Sequence, residues 1–477
     1  MPLLSSSGIA TDRHGGRVIA SAATPSVFDL VASEVDDVLT EAVSGRIASV
    51  QGLTVMAAGL PVPVGSRCTI RTRRNGSVDG EVVGLCDGCA IVSVLGQVTG
   101  LAPGDPVVCR SGPPRVPVGQ DLLGRVIDGQ GRPLDGRPAP VLNVRYPLYR
   151  DPPPAMLRRP IDQPLGLGIR ALDGLLTTGR GQRLGIFAGT GVGKSVLLGM
   201  ICRHTQADVN VVALVGERGR EVREFIDKDL GRDGLARSAV VVCTSDAAPA
   251  LRVRACFHAT AIAEFFRDQG LDVLLMMDSL TRMAMAQRQI GLAAGEPPTA
   301  KGYPPSTFAL LPRLLERAGR TQQGSITGIY TVLVEGDDLG EPLADAARGA
   351  LDGHIWLARS LANRAHYPAV DVLNSVSRVA DDVVDAEQRA AVLEVKRVLA
   401  VWNDIEDLVS IGAYVAGANA DYDLAVQMRP AVFAYLQQPR DVGVPFEQAA
   451  AELKALGERI RQLRAELATA AERRAAK

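Results

Sequence analysis

Residues 188–195 read AGTGVGKS, and that string narrows the possible folds more than any other part of the chain. Gly189, Gly191 and Gly193 let successive backbone N–H groups converge on phosphate oxygens, with Thr190, Val192 and Val196 completing the cradle. Lys194 reaches the terminal phosphates, and the Ser195 hydroxyl is a magnesium ligand. Such a loop works only between a buried strand and a helix. LGIFA precedes it as a short apolar run, and VLLGMI follows with helical length and spacing. Ala188 stands where these loops usually begin with glycine.

Further apolar runs follow at regular intervals: VVALV (211–215), AVVVC (239–243), VLLMM (273–277) and IYTVLV (329–334). Near-continuous apolar strands separated by helical segments predict an α/β domain with a parallel sheet covered on both faces. Glu217 and Asp278 fall just past the carboxyl ends of two of these runs, where open α/β sheets bind ligands. Together with the loop they predict the working parts of a RecA-like triphosphatase.

The 477 residues exceed one ordinary hydrophobic core. Four segments are expected: an N-terminal amphipathic region (1–44), a small β-barrel (45–113), the ATPase domain with a Pro-rich connector (114–379), and a helical C-terminal domain (380–477). Within the first, Val27, Phe28, Val31, Val35, Val38 and Leu39 recur at helical spacing after Thr24 and Pro25, predicting a helix over 24–43 that packs on its neighbour or docks a partner. Turn signals such as Asn75-Gly76 and Asp87-Gly88 punctuate the barrel. Residues 29–145 contain no Phe, Tyr or Trp, so a barrel that stacks nucleic-acid bases is not expected. Residues 138–160 read as a semi-rigid connector. On the last helix, Leu453, Leu456, Ile460, Leu463 and Leu467 predict packing onto its own domain.

With 52 basic and 53 acidic residues, the net charge of −1 provides no global field for nucleic acid or anionic lipid. No apolar run reaches membrane-spanning length and no signal-peptide pattern opens the chain, so a cytoplasmic protein is expected. Seven irregularly spaced cysteines predict reduced thiols. Cys86 and Cys89 flank Asp87-Gly88, which reads as a β-turn with two packed thiols, since no second pair follows at zinc-site spacing.

Hydrolysis of a γ-phosphate needs three charged oxygens neutralised and a water held in line. Lys194 and the loop amides meet the first need, with Ser195 and Asp278 organising Mg2+. Glu217 is placed to polarise the water, and Arg218 to orient that carboxylate or contact phosphate.

GERGREVREF, DSLTRMAMAQRQIGLAAGEPPTAKGYPPSTFALLPRLLERAG, YTVLVEGDDLGEPLADAARGALDGHI and HYPAVDVLNSVSR resemble the type III export ATPases, relatives of the catalytic subunit of rotary ATP synthases. The resemblance runs from about residue 45 to about residue 435. It implies a homohexameric ring with Mg2+-ATP at each subunit interface. Arg378 matches the arginine finger that reaches into a neighbour's site, and Tyr367 the aromatic that stacks on adenine, with Tyr414 in the same pocket. It also implies a stator-like regulator at the N-terminal helix, a central stalk protein, export substrates with their chaperones, and peripheral contact with a membrane export gate. LAPGDPVV and VPVGQDLLGRVIDGQGRPLDG resemble the flagellum-specific enzymes more than the injectisome ones. Two other readings share the core: a hexameric RNA translocase, against which the barrel's missing aromatics count, and a nucleotide-holding ring subunit without turnover, against which Glu217 counts.

Overall fold

The computed structural model describes residues 10–11, 17–18, 38–72, 76–111, 114–334 and 340–475. The chain forms two compact units, Met1–Asp121 with Pro140–Leu148, and Leu122–Ala139 with Tyr149–Lys477.

In the first unit, six strands close a barrel: β1 (Val38–Gln51), β2 (Thr54–Ala58), β3 (Arg67–Arg71), β4 (Ser77–Cys86), β5 (Cys89–Val94) and β6 (Pro106–Ser111). Their spatial order is β1-β2-β5-β4-β3-β6, all antiparallel, with β6 returning to β1. Closure removes the sheet edges. Inward-facing Val55, Ala57, Ile70, Val82, Val92 and Val107 fill the interior together with Cys68 and Cys109, and among the described residues no aromatic ring takes part in this core.

The helix expected over 24–43 is overturned at its end, because residues 38–43 belong to β1. Val43 pairs with Cys109 and Val38 with Ser111, so the backbone there is satisfied by β6, a partner some 70 residues away in sequence that helical spacing cannot reveal. Residues 24–37 lie outside the described residues, as do Arg73, Arg74 and Asn75.

Three short strands follow: β7 (Arg115–Val118), β8 (Arg125–Asp128) and β9 (Val144–Pro147). β7 pairs with β9 in the first unit, whereas β8 joins the sheet of the second. The Pro-rich stretch is therefore divided: residues 140–148 pack with the barrel, and from Tyr149 the chain belongs to the second unit.

The sheet of the second unit adds β10 (Arg183–Ala188), β11 (Val209–Val215), β12 (Ser238–Cys243), β13 (Asp272–Asp278), β14 (Gly319–Arg320), β15 (Ser325–Leu333), β16 (Gly353–Leu357) and β17 (Val370–Ser377). The order is β8-β12-β11-β13-β15-β10-β16-β17, with β14 beside β15. Every pair from β8 to β16 along that order is parallel, whereas β17 runs antiparallel at the far edge and the short β14 antiparallel to β15. All residues of β11 and β12 are buried, as a sheet covered on both faces requires.

Helices α1 (Lys194–His204), α2 (Pro249–Asp268) and α3 (Leu280–Ala293) pack on this sheet. Under α2 an ion pair is sealed from solvent: Arg317 donates to both oxygens of Glu264, at 2.9 and 2.7 Å, with both side chains fully buried. Removing either partner would strand a charge, at a cost of ~3–5 kcal/mol.

Three long helices, α4 (Ala386–Ser410), α5 (Ala420–Leu436) and α6 (Phe446–Ala475), close the chain. Leu453, Leu456 and Ile460 are buried and Leu463 and Leu467 partly so, all on the common core. Lys454 to Asp385 and Arg464 to Glu394 add ion pairs along the seam. The last helix thus packs on its own domain, as its leucine spacing predicts.

Candidate nucleotide site

The loop 188–195 leaves β10 at its carboxyl end and enters α1 directly. Gly193 caps that helix with φ 92° and no side-chain cap, a left-handed conformation that costs glycine nothing. The unpaired N–H groups of the first helical turn are a ready anion site. Thr190, Gly191 and Ser195 are exposed there, whereas Val192 is buried and anchors the loop to the core.

Lys194, Glu217 and Asp278 converge beside it. Lys194 Nζ lies 2.5 Å from Asp278 Oδ1 and 3.8 Å from Glu217 Oε1, with all three side chains largely buried. Asp278 ends β13, and Thr331 on β15 donates its hydroxyl to Oδ1 at 2.7 Å. Both contacts fall on one oxygen. Among the described residues, Asp278 Oδ2 and the Ser195 hydroxyl have no protein hydrogen bond, so the oxygen donors that a small hard cation requires are in place.

Glu217 follows β11 and is held by Arg282, whose Nε and Nη2 lie 3.1 and 3.4 Å from its two oxygens. Burial, and then the neighbouring Asp278 carboxylate, push Glu217 up to about 7, with Lys194 and Arg282 pulling the other way. A carboxylate poised near neutrality suits proton abstraction at physiological pH. Gly216 makes the approach possible: its φ is 73°, and a Cβ there would sit 2.7 Å from Arg282 Cδ.

Arg282 is the functional candidate that sequence reasoning missed, and it holds Glu217 where Arg218 was expected to. Arg218, expected to orient Glu217 or contact phosphate, turns to solvent and pairs with Glu221 at 3.5 Å. The orienting cation comes instead from the first turn of α3, where Ser279 accepts from the Arg282 N–H and caps the helix. A usable signal existed. Arg282 lies four residues past Asp278, one helical turn from a strand end already assigned to the site.

Tyr367 is half-exposed, with its ring over the loop: a Cβ on Gly193 would meet the ring edge at 3.5 Å. The Tyr414 hydroxyl donates to Asp423 at 2.5 Å, and among the described residues no hydrogen bond joins Tyr414 to the loop or to Tyr367.

Arg378 is exposed just beyond the last residue of β17, and its N–H donates to the Asp352 carbonyl. Asp352 in turn holds Arg183, the first residue of β10, through two hydrogen bonds of 2.9 Å. Arg378 therefore stands at the amino end of the strand whose carboxyl end carries the loop. Six strand residues separate the two, on the order of 20 Å, well beyond the reach of an arginine side chain.

Three family models cover most of the chain. They are the ATP synthase alpha/beta family nucleotide-binding domain (168–377), the same family's beta-barrel domain (47–110), and the T3SS EscN ATPase C-terminal domain (384–455). The flagellum-specific ATP synthase of Bacillus subtilis is 49% identical over 86% of this chain and 94% of its own length. The type 3 secretion system ATPase of Xanthomonas euvesicatoria is 50% identical over 83% and 90% respectively. Among solved structures, the assembled ATPase EscN of the enteropathogenic E. coli type III secretion system matches with a TM-score of 0.81 at 44% identity, covering 87% of this chain and 100% of its own. EscN in complex with its central stalk EscO matches at 0.80. With its barrel, nucleotide-binding and C-terminal segments all matched, the chain belongs to the ATP synthase alpha/beta family, in the branch of ATPases that serve type III protein export.

Proposed function

We propose that this ATPase hydrolyses ATP at sites completed between neighbouring subunits of a homohexameric ring, energising flagellar type III export by releasing or unfolding export substrates. The observation that carries the interfacial reading is the separation of Arg378 from its own loop. Exposed at the far end of β10, its guanidinium can complete a phosphate site only in another copy. A head-to-tail interface that closes into a ring gives every loop such a neighbour.

Within each site the loop amides and Lys194 bind the β- and γ-phosphates, releasing Lys194 from its two carboxylates. Ser195 and Asp278 would hold Mg2+, which supplies charge neutralisation on the phosphates. Glu217, aligned by Arg282, takes the proton of the attacking water, and Tyr367 stacks on the adenine. The partner's Arg378 stabilises the charge that develops on the transferred group. Export cargo and its chaperones, a stator-like regulator at residues 1–44 and a central stalk protein are the partners. The cytoplasmic face of a membrane export gate is the place of work.

Subunit mixing tests the interface. Lys194→Ala and Arg378→Ala are each expected to be inactive, whereas an equimolar mixture rebuilds intact sites at about a quarter of random ring interfaces. No recovery in mixed rings would overturn the trans assignment. The flagellar choice rests on LAPGDPVV and VPVGQDLLGRVIDGQGRPLDG. Gene deletion is expected to abolish filaments, and intact filaments would reject it.

A further inference from the structure

Four of the seven cysteines stand in cross-strand pairs within the barrel. Cys68 on β3 faces Cys109 on β6, both buried. Cys86 and Cys89 face each other at the tip of the β4–β5 hairpin. The tip pair is not packed away as the sequence predicts: Cys86 is exposed, Cys89 half-buried, and both are free thiols.

Asp87 and Gly88 between them have φ of 49° and 73°, the positive values of a tight two-residue hairpin turn. Residues facing one another across antiparallel strands have Cα atoms ~4.5–5.5 Å apart, inside the ~4.4–6.8 Å range a disulfide spans. Their side chains leave the same face of the sheet.

We propose that Cys86 and Cys89 form a modification site, a dithiol that low-molecular-weight disulfides of the oxidised glutathione class convert reversibly to an intrachain cystine. One cysteine, as thiolate, attacks a sulfur of the small disulfide and expels one thiolate, which takes up the proton lost. The second cysteine then attacks the mixed disulfide and expels the other thiolate. Two protein thiols lose two electrons and two protons, and one disulfide becomes two thiols, so the exchange balances without any further oxidant.

Asp87 acts as a brake. Its carboxylate accepts a hydrogen bond from Cys86 Sγ at 3.5 Å, which raises the Cys86 pKa and keeps that thiol protonated. The Cys68–Cys109 pair is shielded from any such reagent, and burial pushes Cys68 up to about 12. It is an internal control within the same barrel.

The test treats the full folded chain with oxidised glutathione and maps the products by peptide mass. The expected product is a peptide spanning 86–89 that has lost two hydrogens, with the other five cysteines still open to alkylation after denaturation. Cys86→Ser and Cys89→Ser should each trap one glutathione on the remaining thiol. Asp87→Gly, which keeps a turn-compatible residue, should speed the reaction several-fold. A wild-type pair that retains two glutathiones, or that stays reduced under conditions where the single-serine variants are glutathionylated, would overturn the proposal.

Discussion

The central sheet has two ends with opposite electrostatic designs. At the carboxyl end Lys194, Glu217, Asp278 and Arg282 satisfy one another in a half-buried cluster of two cations and two carboxylates. At the amino end Arg183 is paired with both Asp352 and Glu316, and Arg378 beside them has no acidic partner among the described residues. A cluster that is internally balanced can hold a polyanion by exchanging partners. A guanidinium without one is available to a neighbouring molecule. In the proposed ring, the two ends of the sheet supply the two halves of one active site.

Breaking the amino end is expected to have the largest effect. Arg378→Ala should lower kcat by ~10^3–10^5-fold while nucleotide affinity, measured by fluorescent-analogue titration, changes little. Lost binding alongside lost turnover would make the residue part of its own chain's pocket.

At the carboxyl end, Glu217→Gln removes the proton acceptor, and single-turnover hydrolysis should slow by ~10^2–10^4-fold. The acid limb of kcat/KM sharpens this. Glu217 must be ionised to act, so kcat/KM should fall as pH drops through about 7. Arg282→Gln removes a cation that favours the ionised form, so the limb should move to higher pH and activity near neutrality should drop by roughly tenfold. An unmoved limb would show that Arg282 does not tune Glu217.

The smallest effect is conformational. Gly216→Ala forces a side chain into a left-handed backbone position against Arg282, and chemical denaturation should register a loss of ~1–2 kcal/mol. A neutral substitution would mean that Arg282 can move aside without cost.

Much of this site is legible in the amino-acid sequence. The loop, Glu217 and Asp278 lie at strand ends whose apolar runs are continuous in sequence, and each is placed by backbone geometry within about ten residues of itself. Arg218 and Arg282 show where legibility ends. Both flank strand ends, but which one faces Glu217 depends on how α3 leaves β13 relative to β11, two neighbours in the sheet separated by some sixty residues of chain. Residues 38–43 failed for the same reason, since their helical spacing competes with pairing to β6, which lies far along the chain.

By itself the sequence determined the chemistry of the phosphate loop, the alternation of buried strands and helices, and the apolar face of the last helix, because those are encoded by short-range spacing. Only the tertiary structure decided that Arg282 holds Glu217, that Arg378 stands a full strand length from its own loop, and that Cys86 meets solvent. Each of these depends on the register between elements distant in the chain, which is set by packing of the whole sheet or barrel and leaves no periodic mark on the residues themselves.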